Sequence, residues 1–478
     1  MRSMKKTLIA SALLFATAQA DTHLVESNRQ ASDEIAITLY NNGTALVNES
    51  RSVLLKKGIN QLLLKDVSAK IRPQTTHLKN RGNSALQLIE QNFDYNLLSR
   101  YAMLEKSIGS PIEIRSFDPN GQPIKETATV LSVDGGLVLQ YPDRIEIGIP
   151  DNAQLVFQQI PDGLKASPTL SLLLASETDE AAPLEITYLT DGLSWQADYI
   201  ATLSENETEF DLTGWISIKN NSGTSFENSR LQFVAGEVHQ APSYSSSRMM
   251  KANMMAIVDE SDYRPDEESF ADFHLYTLPM KTTLKNNQEK QLSLLSANAI
   301  PLTKEYRFSH YTQYHSESNN RKAAIYLIID NTEANNLGMP LPQGVFRVYQ
   351  ERENGEALFI GENNIPHVAA NEIFEVNTGN AFDVSVSENV TQFERISKTR
   401  TQSSHQAVFK NAKKVPVVAK YTEHFGMKGW RLLSVSHEPS QKVGTSATWN
   451  IEIPAESSVT LTYKVDLEAE IKEFKELN

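Results

Sequence analysis

Alternation is the feature that most constrains this chain. Segments of four to eight residues rich in Val, Ile, Thr, Phe and Tyr are separated by short clusters of Asn, Gly, Asp, Ser and Pro. Side chains that alternate with period two suit a strand with one buried face and cannot make the stripe of a core-facing helix. Ile35 to Tyr40, Gln61 to Leu64, Trp215 to Lys219, Leu231 to Val234, Ala323 to Ile329, Trp449 to Ile453 and Val459 to Val465 read this way. Asn42-Gly43, Asn120-Gly121, Asp134-Gly135-Gly136 and Asn354-Gly355 are the turns between such runs. Short strands at this spacing favour sandwiches and small barrels over βαβ units. The expected fold class is all-β and multi-module: β-sandwich-like portions, a small SH3-like barrel and one short helix.

The helix is expected from Asp94 to Gly109. There Leu97, Leu98, Tyr101, Leu104 and Ile108 fall on a helical period, Asp94 is placed to cap, and Gly109 and Pro111 end the run. The barrel is expected over Ile112 to Gln159, as strands Ile112–Arg115, Glu126–Val133, Leu137–Gln140, Arg144–Ile149 and Gln154–Gln159. A meander within a larger sheet is the competing reading. Residues 241–272 differ in composition, with four of the ten Met, a Tyr-Ser-Ser-Ser run and seven acids from Asp259 to Asp272. They read as an exposed excursion, in which Met250, Met254 and Ile257 would share one face if a helix formed. The expected organisation is a signal peptide at 1–20, an N-terminal β module at 21–93 and a helix plus small β-barrel at 94–160. A first β-sandwich portion at 161–240, the excursion at 241–272 and a C-terminal β-sandwich portion at 273–470 follow.

The first twenty residues predict export. Arg2, Lys5 and Lys6 precede the apolar run Thr7 to Ala16, and Ala18-Gln19-Ala20 is a cleavage signal, with cutting after Ala20. That run is far below the roughly 20 residues of a spanning helix. No later stretch is long and apolar enough to span a bilayer, so no transmembrane segment is expected after the signal. The expected location is the periplasm or the cell surface. Cysteine is absent, which excludes thiolate nucleophiles, Cys-ligated zinc and iron–sulfur clusters, and suits an oxidising compartment. The formal charge is −14, and loss of the leader's three cations makes the mature chain more acidic still. A nucleic-acid role, which wants a basic surface, is disfavoured.

Motifs for catalysis are missing. There is no G-x-S-x-G elbow, no H-E-x-x-H (His437-Glu438 precedes Pro439), no phosphate-binding glycine loop and no EF-hand loop. Asp118-Pro119-Asn120-Gly121 lacks the alternating carboxylates of a calcium loop and reads as a turn. On an extended Tyr306 to Tyr314, Tyr306, Phe308 and His310 share a face. His310, His315 and His367 are weighed as bases or metal ligands and read instead as satisfied or surface histidines. Trp195 and Tyr199 also share a strand face; they fit a sugar-stacking platform or, more simply, a sandwich core. Trp215, Trp430 and Trp449 are read as core in the same way. The sequence assigns no catalytic, cofactor-binding or metal-ligating residue and implies no cofactor.

An ordered series of segments carries a resemblance. It begins with Asp191-Gly-Leu-Ser-Trp-Gln-Ala-Asp-Tyr, Leu212-Thr-Gly-Trp-Ile-Ser-Ile-Lys-Asn-Asn-Ser-Gly and Leu231-Gln-Phe-Val-Ala-Gly-Glu-Val. It continues with Leu275-Tyr-Thr-Leu-Pro, Lys290-Gln-Leu-Ser-Leu-Leu, the run Leu341 to Glu362, Gly379-Asn-Ala-Phe-Asp-Val and Ile453-Pro-Ala-Glu-Ser-Ser-Val-Thr-Leu-Thr-Tyr-Lys-Val. Over roughly residues 185–466 the chain resembles the bacterial domain of unknown function numbered 4139, shared with mucoidy-inhibitor-A-like proteins. The resemblance implies an exported, β-rich protein of Gram-negative type and supplies no catalytic residue, cofactor or substrate. The long coiled coil of better-known relatives is not expected here, because no sustained heptad occurs before residue 180.

Within Leu341 to Glu362, Asn354-Gly355 predicts a hairpin with Phe346 and Val348 on one face and Val345, Arg347 and Tyr349 on the other. Arg347 is a mid-strand charge that needs a carboxylate if buried. The functional expectation is an exported, non-enzymatic envelope protein with a binding or scaffolding role toward an envelope protein or glycan. The alternative is an envelope glycan or peptide hydrolase working through a carboxylate pair, which would require acids converging beside an aromatic platform in a concave site.

Overall fold

The computed structural model describes residues 22–468 apart from 83–84, 95–96, 119, 150–152, 237, 239–265, 271–272, 313–317, 353 and 427–428. Strand makes up 68% and helix 4%, so the fold is all-β. Each alternating run named above lies inside a strand. The strands fall into two units, one formed by 1–194, 219–233 and 280–289, the other by 195–218, 234–279 and 290–478. These units interleave along the chain, whereas turn spacing outlines consecutive modules. The cause is sheet pairing across long gaps. Thr169–Ser176 pairs antiparallel with Gly58–Lys65 and with Leu86–Asp94, so sequence beyond 160 completes a sheet begun before 65.

In the first unit, Thr22–Ser27 runs parallel to Gly58–Lys65 and opens that four-stranded sheet. A second sheet orders Phe226–Ala235, Ser32–Tyr40, Thr44–Leu55, Glu180–Asp191 and His77–Asn80. Strict alternation in Thr44–Leu55 buries Val47, Val53 and Leu55, but also Glu49 and Arg51. Arg51 is fully buried. Its Nε donates to Glu49 at 2.8 Å, and its terminal nitrogens donate to the carbonyls of Ser27 at 2.8 Å and Lys65 at 3.0 Å. A buried guanidinium is tolerated when each of its nitrogens finds an acceptor in this way and a carboxylate answers its charge.

The expected helix is shorter than its apolar period suggested. It spans Arg100–Glu105, and the Ser99 hydroxyl, rather than Asp94, caps it by accepting from the Ala102 amide at 3.0 Å. Asp94 instead ends the strand Leu86–Asp94, opposite Thr169. Pairing with a neighbouring strand outweighed local helical spacing, and only Leu104 of the expected stripe is buried.

All five strands of the expected barrel exist, as Pro111–Phe117, Pro123–Ser132, Val138–Gln140, Ile145–Ile147 and Gln154–Val156. They do not close. The order places Ile145–Ile147 at one edge and Gln154–Val156 at the other, and no barrel is closed among the described residues. Each edge strand is three residues long, too short to bend round to the other. An open sheet packs Leu104, Ile112, Ile114, Val130, Leu139 and Tyr141 into a small core of its own.

The second unit is a larger sandwich. Gln288–Tyr311 pairs antiparallel with Ser318–Asp330 on one side and parallel with Val417–His424 on the other. Ser318–Asp330 then pairs with Ile373–Arg395, which leads through Arg400–Asn411 and Ser457–Glu468 to Gly429–Val435. Inward-facing Tyr306, Phe308, Phe409, Tyr421, Trp449 and Tyr463 fill the space between, a buried aromatic core. Trp449 and Trp195 are core residues as expected, whereas Trp215 and Trp430 are half-buried. Trp430 stacks on Phe425 at 4.6 Å and packs against the edge of that core.

The Leu341–Glu362 hairpin forms as Gly344–Glu351 and Ala357–Ile365, with Phe346 and Val348 fully buried. The strand Leu193–Leu203 lies parallel and so close that a Cβ on Gly344 would stand 2.0 Å from the Ala197 carbonyl oxygen. Arg347 is half-buried and answers its charge as required: Nη1 lies 2.7 Å from Asp198 and Nε 3.1 Å from Glu362. The expected excursion at 241–272 lies largely outside the described residues, and so does the Met250, Met254 and Ile257 face. Its end, Asp266–Phe270, pairs with Phe273–Thr277.

Candidate functional site

Two side-chain assemblies in the second unit occupy opposite faces of the same strands. Alternation decides which residue goes where. In Gln288–Tyr311, Tyr306, Phe308 and His310 face inward while Arg307 and Ser309 face outward. In Val417–His424, Tyr421 and Glu423 face inward while Lys420, Thr422 and His424 face outward. Cross-strand register then sets Arg307 against Lys420, Ser309 against Thr422 and His310 against Glu423.

The inward assembly centres on Glu423, which is fully buried. Its carboxylate accepts from His310 Nδ1 at 2.8 Å, from the Tyr421 hydroxyl at 2.8 Å and from the Thr312 hydroxyl. Burial alone would favour the neutral acid, but these donors outweigh it and hold the Glu423 carboxyl below its usual range. Burial likewise disfavours a charged His310, yet the Glu423 carboxylate raises that imidazole above its ordinary value. Nearby His405 bonds Ser403 at 2.7 Å and stacks on Tyr463 at 4.8 Å; burial lowers its value and outweighs the opposing pull of the Glu423 carboxylate. Glu388 is held by Arg321. The histidine–carboxylate–tyrosine set resembles an acid–base relay, but the space it borders is about 10 Å³. That is room for about one water and not for a substrate. His310 is therefore the satisfied histidine of the sequence reading.

The outward assembly borders a groove of about 730 Å³, within the range of small-molecule and oligomer sites. Its floor is the sheet face itself. Arg307 and Ser309 come from one strand, Lys322, Ala324 and Tyr326 from Ser318–Asp330, Lys420, Thr422 and His424 from the parallel neighbour. Glu375 and Asn380 come from Ile373–Arg395. The Arg307 guanidinium bridges Glu375 at 2.6 and 2.7 Å, reaches Glu305 at 2.5 Å and lies 4.4 Å over the Tyr326 ring. Arg307 holds the Glu375 carboxyl below the usual carboxylate range, against the effect of burial. Lys420 shares Glu305 at 3.7 Å. His424 is fixed by the hydroxyls of Ser309 at 3.1 Å and Ser446 at 2.8 Å and stacks on Tyr311 at 4.6 Å.

One end of the groove is shaped by a break in register. Lys322 pairs with Ser385 and Ala324 with Asn380, so Ala323 faces four residues, Ala381 to Val384. Ala381 and Val384 turn into the core; Phe382 is pushed out and is 85% exposed. The Lys322 ammonium donates to the Phe382 carbonyl and stands 5.3 Å from the Phe382 ring centroid.

Other sequence candidates lie elsewhere. Tyr199 is buried and donates to the Pro342 carbonyl at 2.8 Å, which with Trp195 makes a core pair and not a platform. His367 accepts from the Gln343 amide at 3.1 Å, away from both assemblies. Asp118 accepts from the amides of Asn120 and Gln122 at 2.8 Å each, a turn as expected. His315 lies outside the described residues. Among the described residues no group of three or more His, Cys, Asp or Glu is placed to hold a metal, and no helix is long and apolar enough to cross a membrane. A second groove, about 700 Å³, lies on the five-stranded sheet beside Met103, Ile149, Leu155 and Phe157, and its lining is mainly apolar.

Sequence reasoning singled out His310 but missed Arg307, Lys322, Tyr326, Lys420, Thr422 and His424. The available signal was the outward parity of the Tyr306 strand, where Glu305 and Arg307 alternate with buried aromatics. Lys322 and Lys420 lie far apart in sequence and meet because their strands flank Gln288–Tyr311, one antiparallel and the other parallel to it. The chain matches no known family model and no curated protein. The class it defines therefore rests on the fold and site: an all-β chain with a polar groove laid on a sandwich face.

Proposed function

We propose that this is an exported binding protein of the cell envelope, periplasmic or at the cell surface, and that the groove over Arg307, Tyr326, Asn380 and Lys420 receives envelope glycan. The leader-like first twenty residues and the absence of cysteine support export. The ordered motifs support placing the chain with the family of unknown function that it resembles. The observation that carries the ligand assignment is the lining of the 730 Å³ groove. Arg, Lys, Asn, Glu, His, Ser and Thr side chains present donors and acceptors across a rigid, open sheet face. Sugars are bound by such planar hydrogen-bonding groups together with aromatic rings.

Binding fits the groove better than hydrolysis. A glycosidase needs one carboxyl kept protonated and a second carboxylate roughly 5–9 Å away. Among the described residues Glu375 is the one acid lining the groove, and both its oxygens are taken by Arg307, which keeps it ionised. Glu388 borders the one-water space instead, and Glu423 is fully buried.

Retention of the purified protein on immobilised envelope glycan tests the reading. The expected result is retention that free glycan competes away and that R307A with K420A abolishes. Retention no greater than on the bare matrix contradicts it, and release of new reducing ends on incubation would favour the hydrolase.

A further inference from the structure

Most of the groove's fixed cations are already answered. Arg307 is balanced by Glu305 and Glu375, Arg321 by Glu388, and Lys420 approaches Glu305. Lys322 differs. Among the described residues no carboxylate bonds it, and its ammonium spends one of three donors on the Phe382 carbonyl. The same bulge that sets this carbonyl under Lys322 holds the Phe382 ring out in water. An isolated exposed aromatic contributes nothing to the core, and four residues looped against one are a costly way to place it.

We propose that Lys322 and Phe382 together form the seat for an acidic sugar, a pyranose bearing a carboxylate, within the glycan that the groove holds. This rests on the glycan reading of the groove. A hexuronate carries both matching features on one ring: a flat C–H face for Phe382 and a carboxylate for Lys322. The ammonium stands over one face of the Phe382 ring, 5.3 Å from its centroid, and because Phe382 is 85% exposed the sugar takes the other face, within reach of both groups. Charge supports the assignment, because Lys322 offers the groove a cation with no carboxylate bonded to it among the described residues, on a chain of net charge −14. Asn380, on the far side of the bulge, is positioned to bond the hydroxyls of the same or the next sugar.

Calorimetric titration with a hexuronate oligomer, and with the same oligomer after its carboxylates are reduced to alcohols, tests the seat. The acidic oligomer should bind about tenfold more tightly than the reduced one, the usual scale for a charged hydrogen bond. K322Q should erase that difference and K322R should retain it. F382A should weaken both oligomers by about the same factor. Both side chains lie at the surface, so thermal melts matching wild type will show the variants folded. Equal binding of the two oligomers by wild type overturns the acidic-sugar assignment while the glycan groove stands. A preference that survives K322Q overturns the role of Lys322. Equal binding of a phosphorylated neutral glycan overturns the carboxylate as the charge recognised. Binding of no oligomer at all overturns the glycan reading itself.

Discussion

Arg307 grips Glu375 with both terminal nitrogens, at 2.6 and 2.7 Å, although the strand Ser318–Asp330 lies between theirs in the sheet. The guanidinium crosses that strand by lying over the Tyr326 ring. One cation thus ties three strands on the outer face and fixes the groove floor. The pair is exposed enough that its worth to folding is small, at most about 1 kcal/mol. E375Q should therefore leave the urea midpoint almost unchanged while weakening glycan binding several-fold, because Arg307 loses its fixed position. Denaturation and calorimetry on the same preparation would separate the two effects; a large loss of stability would count against the binding role.

Arg347 and Asp198 join two parallel strands at 2.7 Å. Burial works against ionised Asp198, but hydrogen bonds from Ser217 and Arg347 outweigh it and hold the carboxyl below its usual range. R347A leaves that carboxylate nearly buried without its cation and should cost about 1–3 kcal/mol. In a double-mutant cycle with D198N the losses should be less than additive. Additive losses would mean the two residues act independently.

Stability should depend on pH through the inward cluster. His310 is raised, so its contribution is complete below the ordinary histidine value of about 6.5 and is lost as pH rises through its higher folded value. Glu423 is lowered, so its contribution is complete above about 4.5 and is lost as pH falls through its folded value. The pair therefore stabilises most between about pH 4.5 and 6.5. His405 is lowered, so it favours folding above about 6.5 and opposes it as pH falls. H310Q should remove the alkaline-side decline, and H405Q should gain stability relative to wild type at pH 5. Melting curves at fixed ionic strength across this range check both; unchanged profiles would contradict the ion pair.

Gly344 and Gly355 share the hairpin yet should respond differently to alanine. A Cβ at 344 meets the Ala197 carbonyl oxygen at 2.0 Å, so a neighbouring strand must move and the cost should exceed about 2 kcal/mol. At Gly355 no heavy atom lies within 4 Å of the added Cβ, and only its φ of +79° opposes the change, which costs about 1 kcal/mol. Comparable losses would show that close parallel packing is not what glycine secures at 344.

Period-two alternation made the strands legible because burial on one face is a local property. It located Tyr306, Phe308 and His310 on one face and the Asn354-Gly355 hairpin with its answered Arg347. Closure and partnership were not legible. The helix over-extended because Leu97 and Leu98 keep a helical period beside a strand that ends at Asp94. The five-stranded module stayed open because its edge strands are three residues long. The groove was hidden because Arg307, Lys322, Glu375 and Lys420 stand on four strands joined by long-range pairings, one of them parallel and one broken by a four-residue bulge, and none of these leaves a local pattern.

The most direct test is titration of the purified protein with defined envelope glycan fragments, comparing wild type with the double variant R307A/K420A. Saturable binding by wild type, lost in the folded double variant, is the result expected of a glycan-binding groove. Equal affinity in both proteins, or no binding by wild type to any fragment, would contradict it.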